Sequence, residues 1–162
     1  MVPFSHLPDH SRLWVFASER PLEADAAARL LDAVDAFLES WHAHQVPLAC
    51  GRDWRYDQFL LIGADEQAAG VSGCSIDALV RTMKTLGQEL GVSLLDHGAV
   101  HFREGDQVRR MTRDAFSAAA TTGLVTSDTQ VFDNTVTSVG RLRAGEWERP
   151  AATSWHQHAF FA

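Results

Sequence analysis

The sequence predicts an α+β protein whose core has the ferredoxin-like order β-α-β-β-α-β. Two segments carry apolar residues at helical spacing, several apolar runs are too short for helices, and the two kinds alternate in this order along the chain. The order is typical of an antiparallel four-stranded sheet with two helices on one face. We expect this domain to span residues 1–104, with residues 105–162 forming a C-terminal extension that packs on it.

The first predicted elements lie between the N-terminus and residue 65. The apolar and aromatic run 13–18 is typical of a buried strand. Over residues 22–41 apolar side chains recur at steps of three and four, which predicts an amphipathic helix. Residues 46–65 fit two strands that reverse direction near Tyr56 and Asp57.

A second amphipathic helix follows a loop that contains two glycines. It begins at Cys74 or Ser75, and Gly91 is a natural left-handed stop after it. The apolar run 97–104 supplies the fourth strand of the core. The sequence therefore places one of its two cysteines at the start of a helix.

The extension has a different character. After a turn at Gly105 we expect a strand, then a helix over residues 113–122 with Thr112 as its N-cap, and a short strand within residues 127–134. We expect the C-terminal aromatic side chains to pack back on the protein, because a free tail would expose them as an apolar patch. They are Trp147, Trp155, Phe160 and Phe161.

Composition restricts the class of function. A chain of 162 residues, 46% hydrophobic and 22% charged, can bury a core without metal or disulfide support. A net charge of -7 without a Lys/Arg cluster argues against nucleic-acid binding, and no apolar run approaches the roughly 20 residues of a membrane helix. With two cysteines and no signal-peptide pattern, we expect a cytoplasmic protein with reduced thiols and no cofactor.

The predicted topology brings a thiol and two imidazoles to one edge of the sheet. The first helix ends, the third strand ends and the second helix begins there. We therefore expect Trp41, His42 and His44 to lie near Asp65 and Cys74. The positive end of a helix and a nearby imidazolium both favour a thiolate. Cys74 is therefore a candidate nucleophile or redox thiol, with His44 as its base.

The same stretch has three other interpretations. Cys74 or Ser75 could serve only as the helix cap, completed by Asp77, whose carboxylate opposes ionisation of the thiol. The loop and first-turn amides could instead hold a carboxylate or phosphate, with Gly73, Ser75 and Asp77 as ligand-binding residues. We do not expect a metal site, because His42 and His44, two positions apart, cannot share a face of a regular helix.

The extension offers further candidate ligand-binding residues. The sequence D-N-T at residues 133–135 follows a predicted strand, so Asp133 and Asn134 could contact a ligand or could simply form an Asx turn. Trp147 and Trp155 are candidates for contact with a protein or small ligand.

Several segments resemble a family of short, mostly uncharacterised bacterial proteins, over nearly the full chain. These segments are LPDHSRLWVFAS, WHAH, SGCSIDALVR, TQVFDNTV and ERPAATSWH. Some members are labelled ABC-transporter ATPase, but this chain lacks the G-x-x-x-x-G-K-[ST] phosphate loop, so we expect no ATPase activity. The resemblance implies a shared fold.

Residues 102–132 also resemble the helix-and-strand half of bacterial GYF-like modules. Such modules bind peptides through aromatic-lined surfaces, although this stretch lacks their Gly-Pro and tryptophan signature. We therefore carry two hypotheses of function. The first is a binding or adaptor protein for a protein or small anionic ligand, which could form a homodimer through an open sheet face or edge. The alternative is a small cofactor-independent enzyme or redox protein that uses Cys74.

Overall fold

The computed structural model describes residues 1–67 and 70–161, and the chain divides into two compact units. The first contains Met1–Asp96 and Thr137–Gly140, and the second contains His97–Val136 and Arg141–Ala162. Both units combine helices with antiparallel strands, which confirms the α+β class. The predicted boundary after residue 104 lies inside the second unit.

The first unit places two helices against an antiparallel sheet. Its elements are β1 (Arg12–Ala17), α1 (Ala24–Glu39), β2 (His42–Ala43), β3 (Val46–Pro47), β4 (Ala49–Arg55), β5 (Phe59–Asp65) and α2 (Gly73–Leu90). The main sheet has the order β1-β5-β4, and β2 pairs with β3 in a small separate hairpin. The core between helices and sheet contains Phe16, Leu30, Val34, Leu38, Leu60, Ile62, Leu79 and Met83.

Local signals set the ends of these elements. Tyr56 and Asp57 both have positive φ, at 57° and 53°, and they reverse the chain between β4 and β5 as predicted. Gly91 has a φ of 66° and forms the left-handed cap after α2, also as predicted. The N-cap of α2 is Ser72, whose side chain accepts a hydrogen bond from the Ser75 amide. The prediction that Cys74 or Ser75 caps this helix was therefore wrong.

The predicted ferredoxin-like order does not hold for the described residues. It requires the strand at 99–104 to pair beside β1, but that strand belongs to a different sheet. The outer edge of β1 is instead satisfied by the segment 137–139, because the Leu13 amide donates to the Thr137 carbonyl and the Val139 amide donates to the Ser11 carbonyl, both at 2.9 Å.

The opposite edge of this sheet is covered by the N-terminal segment. The Val2 amide donates to the Cys50 carbonyl on β4 at 2.8 Å. A Cβ atom at the neighbouring Gly51 would lie only 2.5 Å from the Val2 carbonyl oxygen, so this close approach requires glycine. Other parts of the same unit thus bond to one end of each edge strand, at Leu13 on β1 and at Cys50 on β4.

The second unit contains a four-stranded antiparallel sheet and one longer helix. Its elements are β6 (Ala99–Glu104), β7 (Gln107–Thr112), α3 (Arg113–Thr121), β8 (Gln130–Phe132) and β9 (Glu148–Pro150), and α4 (Val139–Arg143) lies where the chain re-enters this unit. The strand order is β7-β6-β8-β9. Thr112 caps α3 through the Ala115 amide, as predicted.

The aromatic C-terminus packs within the second unit. Phe116 of α3 is fully buried, and its ring lies 5.4 Å from Phe102, 4.9 Å from Phe160 and 6.1 Å from Phe161. Trp147 is also buried, with an exposed fraction of 2%, and its indole donates to Asn134. Trp147 is therefore part of the structure's interior and not a surface for ligand contact.

Candidate functional site

An open pocket of about 320 Å³ lies at the first turn of α2. We call it the helix pocket. Its described lining residues are Phe37, Ser40, Trp41, His42, His44, Ser72, Cys74, Ser75 and Ala78. They come from the end of α1, the β2–β3 hairpin and the start of α2, so three segments distant in sequence form one concave surface.

A hairpin that the sequence did not predict presents the two histidines. His42 begins β2, and His44 and Gln45 form the two-residue turn, with φ of 50° and 66°. Two left-handed residues are typical of the tightest hairpins, although such turns favour Asn-Gly and not His-Gln. The Leu48 amide donates to the Trp41 carbonyl at 3.0 Å and closes the loop. The absence of the usual turn residues explains why the hairpin was missed.

One buried and one partly buried hydrogen bond tie this hairpin to α2. The Trp41 indole donates to the Ser75 carbonyl at 3.0 Å, and the Ser75 hydroxyl donates to the His42 carbonyl at 2.8 Å. Trp41 and Ser75 are both buried. The structure thus brings His42, His44, Cys74 and Ser75 together at the position that the topology predicted, while their chemical roles stay predictions.

The polar groups of the pocket suit an anion or an electrophile. The His42 Nδ1–H donates to the Ser40 carbonyl, so Nε2 is the ring nitrogen that remains available when His42 is neutral. His42, His44 and the Cys74 thiol are all exposed. Because Ser72 satisfies only the Ser75 and Ile76 amides, the Gly73 and Cys74 amides have no acceptor within the helix.

Three other predicted residues of this region, Gly73, Asp77 and Asp65, do not line the pocket. Asp77 is exposed on α2 but does not line the pocket. Asp65 accepts hydrogen bonds from the Gln67 amide at 3.0 Å and from His10 at 2.8 Å, and these partners hold its pKa below the ordinary value. Asp65 therefore pairs with His10 and not with Cys74. No group of three or more metal-ligating side chains is found within residues 1–67 and 70–161.

Asp133 and Asn134 have structural partners in the second unit. Asp133 accepts hydrogen bonds from the Thr135 amide and hydroxyl and from Arg149 at 2.7 Å, in an Asx turn. Burial raises the pKa of Asp133, but the hydrogen bonds from Thr135 and Arg149 outweigh it, and the pKa lies below its ordinary value. The geometry matches the turn interpretation of this sequence.

Trp155 belongs to an aromatic stack near the C-terminus. Its ring stacks on His156 at 3.9 Å, and the Arg113 guanidinium lies 5.1 Å from its centroid. The His156 side chain is buried and bonds to the Ser154 hydroxyl at 2.6 Å. Burial lowers the pKa of His156 to about 4, with Arg113 and Arg149 acting in the same direction and Asp133 opposing them. His156 is therefore part of the interior of the second unit.

Sequence reasoning placed Trp41 and Ser75 in this region but did not identify the hydrogen bonds by which they and Ser72 hold the pocket in shape. Ser72 lies three residues before Ser75, which is the spacing of an N-cap and could have identified it. No sequence signal connects Trp41 with Ser75, because that hydrogen bond joins residues 34 apart.

Comparison with known proteins adds no assignment. No family model, curated protein or solved structure matches this chain. Within the described part of the chain, no helix combines the length and apolar character needed to cross a membrane.

Proposed function

We propose that this protein binds a small anionic ligand in the helix pocket and acts as a binding or adaptor protein without ATPase activity. The observation that carries the proposal is the convergence of His42 and His44 on the first turn of α2. The two imidazoles and the Gly73 and Cys74 amides, which have no acceptor within the helix, are groups that can donate hydrogen bonds to an anion.

The pocket also offers a surface for an apolar portion of the ligand. Phe37 and Ala78 line it beside the polar groups, and the Trp41 ring lies 5.6 Å from that of Phe37. A ligand with a carboxylate or phosphate and a small apolar body matches this arrangement. The pocket's walls are preformed, because Trp41 and Ser75 hold the hairpin against the helix.

This function can be tested by titrating the full chain with benzoate, acetate and inorganic phosphate. Binding is monitored by the NMR chemical shifts of the backbone amides. We expect shifts at residues 72–76 and 42–44, with benzoate binding more tightly than acetate. The variant His44→Ala should weaken binding by about tenfold, the size of one hydrogen bond to a charged group. The matched control is His6→Ala, another exposed histidine. Absence of shifts at these residues with every anion, or equal weakening in both variants, would contradict the proposal.

The second candidate is thiol chemistry at Cys74 with His44 as base. The observation that favours it is the exposed Cys74 thiol in the same pocket as both imidazoles. Alkylation by iodoacetamide across pH, read by mass spectrometry, tests it, with Cys50 as internal reference. Burial raises the pKa of Cys50 to about 11, so that thiol should react slowly. A rapid Cys74 reaction near neutral pH that His44→Ala slows supports the enzyme hypothesis, whereas slow reaction at all pH values refutes it.

A further inference from the structure

The hydrogen bond of the His42 side chain fixes which of its ring nitrogens a ligand in the helix pocket can meet. Nδ1 bonds to the carbonyl oxygen of Ser40, the residue that caps the C-terminus of α1. A carbonyl oxygen only accepts hydrogen bonds, so Nδ1 must carry the hydrogen. When His42 is neutral, Nε2 therefore has no hydrogen and presents a lone pair to any ligand beside it.

The neutral form of His42 is unsuited to an anion, and the protonated form suits it. A lone pair on Nε2 repels the oxygens of a carboxylate or phosphate. Protonation keeps the Nδ1–H bond to Ser40 in place and adds a hydrogen and a positive charge at Nε2. Hydrogen bonds between charged groups are about twice as strong as neutral ones. By taking one proton from solvent, His42 thus changes from an acceptor into a charged donor.

The other groups of the pocket leave its positive charge to the histidines. Among the described residues that line it, none is a lysine, an arginine or a carboxylate, and the titratable side chains are His42, His44 and Cys74. Glu39 and Asp77 belong to the same helices, but both are exposed and neither lines the pocket. The Glu39 carboxylate lies 3.7 Å from the N-terminal ammonium. A rise in pH removes charge from the imidazoles and, through a Cys74 thiolate, adds negative charge.

We propose that the helix pocket takes up its anionic ligand together with a proton, which is held on Nε2 of His42. This inference rests on the proposed ligand function and adds the regulation of the same site. Anion binding and protonation strengthen each other by the same factor, because the coupling between two ligands of one protein is reciprocal. The affinity therefore rises as the pH falls through the range of histidine titration, about pH 8 to 5.

The protonation state of the His42 ring can be measured without a ligand. Long-range proton–nitrogen NMR spectra of the full chain distinguish a ring nitrogen that carries hydrogen from one that does not. At about pH 8 we expect hydrogen on Nδ1 of His42 and none on Nε2. The exposed His6 provides the reference signals. Hydrogen on Nε2 and none on Nδ1 of His42 at this pH would overturn the proposal.

The coupling is tested by benzoate titrations between about pH 5.5 and 8, a range in which a carboxylate stays ionised. Binding is monitored by the backbone amide shifts of residues 72–76. We expect the dissociation constant to fall at least about tenfold from the upper to the lower pH, the size of one hydrogen bond to a charged group.

The variant His42→Gln gives a result that simple loss of a contact would not. Its side-chain amide can donate a hydrogen bond at every pH. Compared with wild type, it should bind benzoate more weakly at about pH 5.5 and at least as tightly at about pH 8. His6→Gln, which changes another exposed histidine, should keep the pH dependence of wild type.

The outcomes for the ligand function and for the proton coupling differ. Absence of shifts in residues 72–76 at every pH would refute both. Binding with the same affinity at both ends of the pH range, or a pH dependence that His42→Gln keeps in full, would overturn only the coupling. A pH dependence that disappears in Cys74→Ser and persists in His42→Gln would assign it to the thiol and would also overturn the role of His42.

Discussion

Replacing Ser75 by alanine tests how the helix pocket is held together. The hydroxyl of Ser75 donates to the His42 carbonyl and bonds to Ser72, each at 2.8 Å, and Ser75 is only 5% exposed. Leaving this partly buried carbonyl without its donor costs about 1–3 kcal/mol. Alanine recovers about 0.5 kcal/mol through its higher helix propensity. We therefore expect the free energy of unfolding to fall by about 0.5–2.5 kcal/mol.

Urea unfolding of wild type and variant at constant m-value measures this change. Thr85→Ala is the matched control, because Thr85 is exposed on the same helix, and it should change the free energy of unfolding by less than about 0.5 kcal/mol. Hydrogen exchange of the Leu48 amide should also accelerate in Ser75→Ala, since that amide closes the hairpin. A loss no larger than that of Thr85→Ala, with Leu48 exchange unchanged, would refute the role assigned to Ser75.

Three further predictions concern stability. The pKa of His156 is about 4 in the folded protein and about 6.5 in the unfolded chain. Its contribution to the free energy of unfolding is therefore complete above pH 6.5, and up to about 3 kcal/mol is lost as the pH falls from 6.5 towards 4. His156→Gln should flatten this part of the pH–stability curve, and His97→Gln should not. Phe116→Ala should lower the free energy of unfolding by about 3–5 kcal/mol in urea titrations, because the ring is fully buried among Phe102, Phe160 and Phe161. A loss below about 1 kcal/mol would contradict that packing. Gly91→Ala should lower the free energy of unfolding by about 1 kcal/mol, measured by thermal unfolding, because Gly91 has a positive φ. Gly98 has no positive φ and open space around it, so Gly98→Ala should lower the free energy of unfolding by less. Equal losses in the two variants would argue against the left-handed cap.

The candidate site was partly predictable because helix ends and chain reversals are local. Apolar spacing identified α1 and α2. Between them, β5 returns the chain to the sheet edge at which α1 ends and α2 begins. Those facts were enough to bring Cys74 near His42 and His44. They were not enough to exclude Asp65 from the predicted site near Cys74. Asp65 bonds instead to His10, which lies 55 residues away in the sequence.

The strand order was less predictable because strand pairing is not local. The run at 99–104 is as compatible with β1 as with any other edge when only its apolar character is known. The tight turn at Gly105 joins it to β7, and residues 137–139 occupy the edge of β1 instead. Pairing through a short turn costs less chain entropy than closure of a long loop, which favours the β6–β7 hairpin.

By itself, the sequence determined the α+β class, both long helices, the reversal at Tyr56 and the left-handed stop at Gly91. Each depends on residues within one or two turns of chain, so periodicity and backbone preference are sufficient. Only the tertiary structure decided that Ser75 supports the His42 carbonyl and that His156 is buried. Those outcomes depend on which residues distant in sequence pack over a side chain and exclude water from it. The pattern of residues along the sequence does not contain that information.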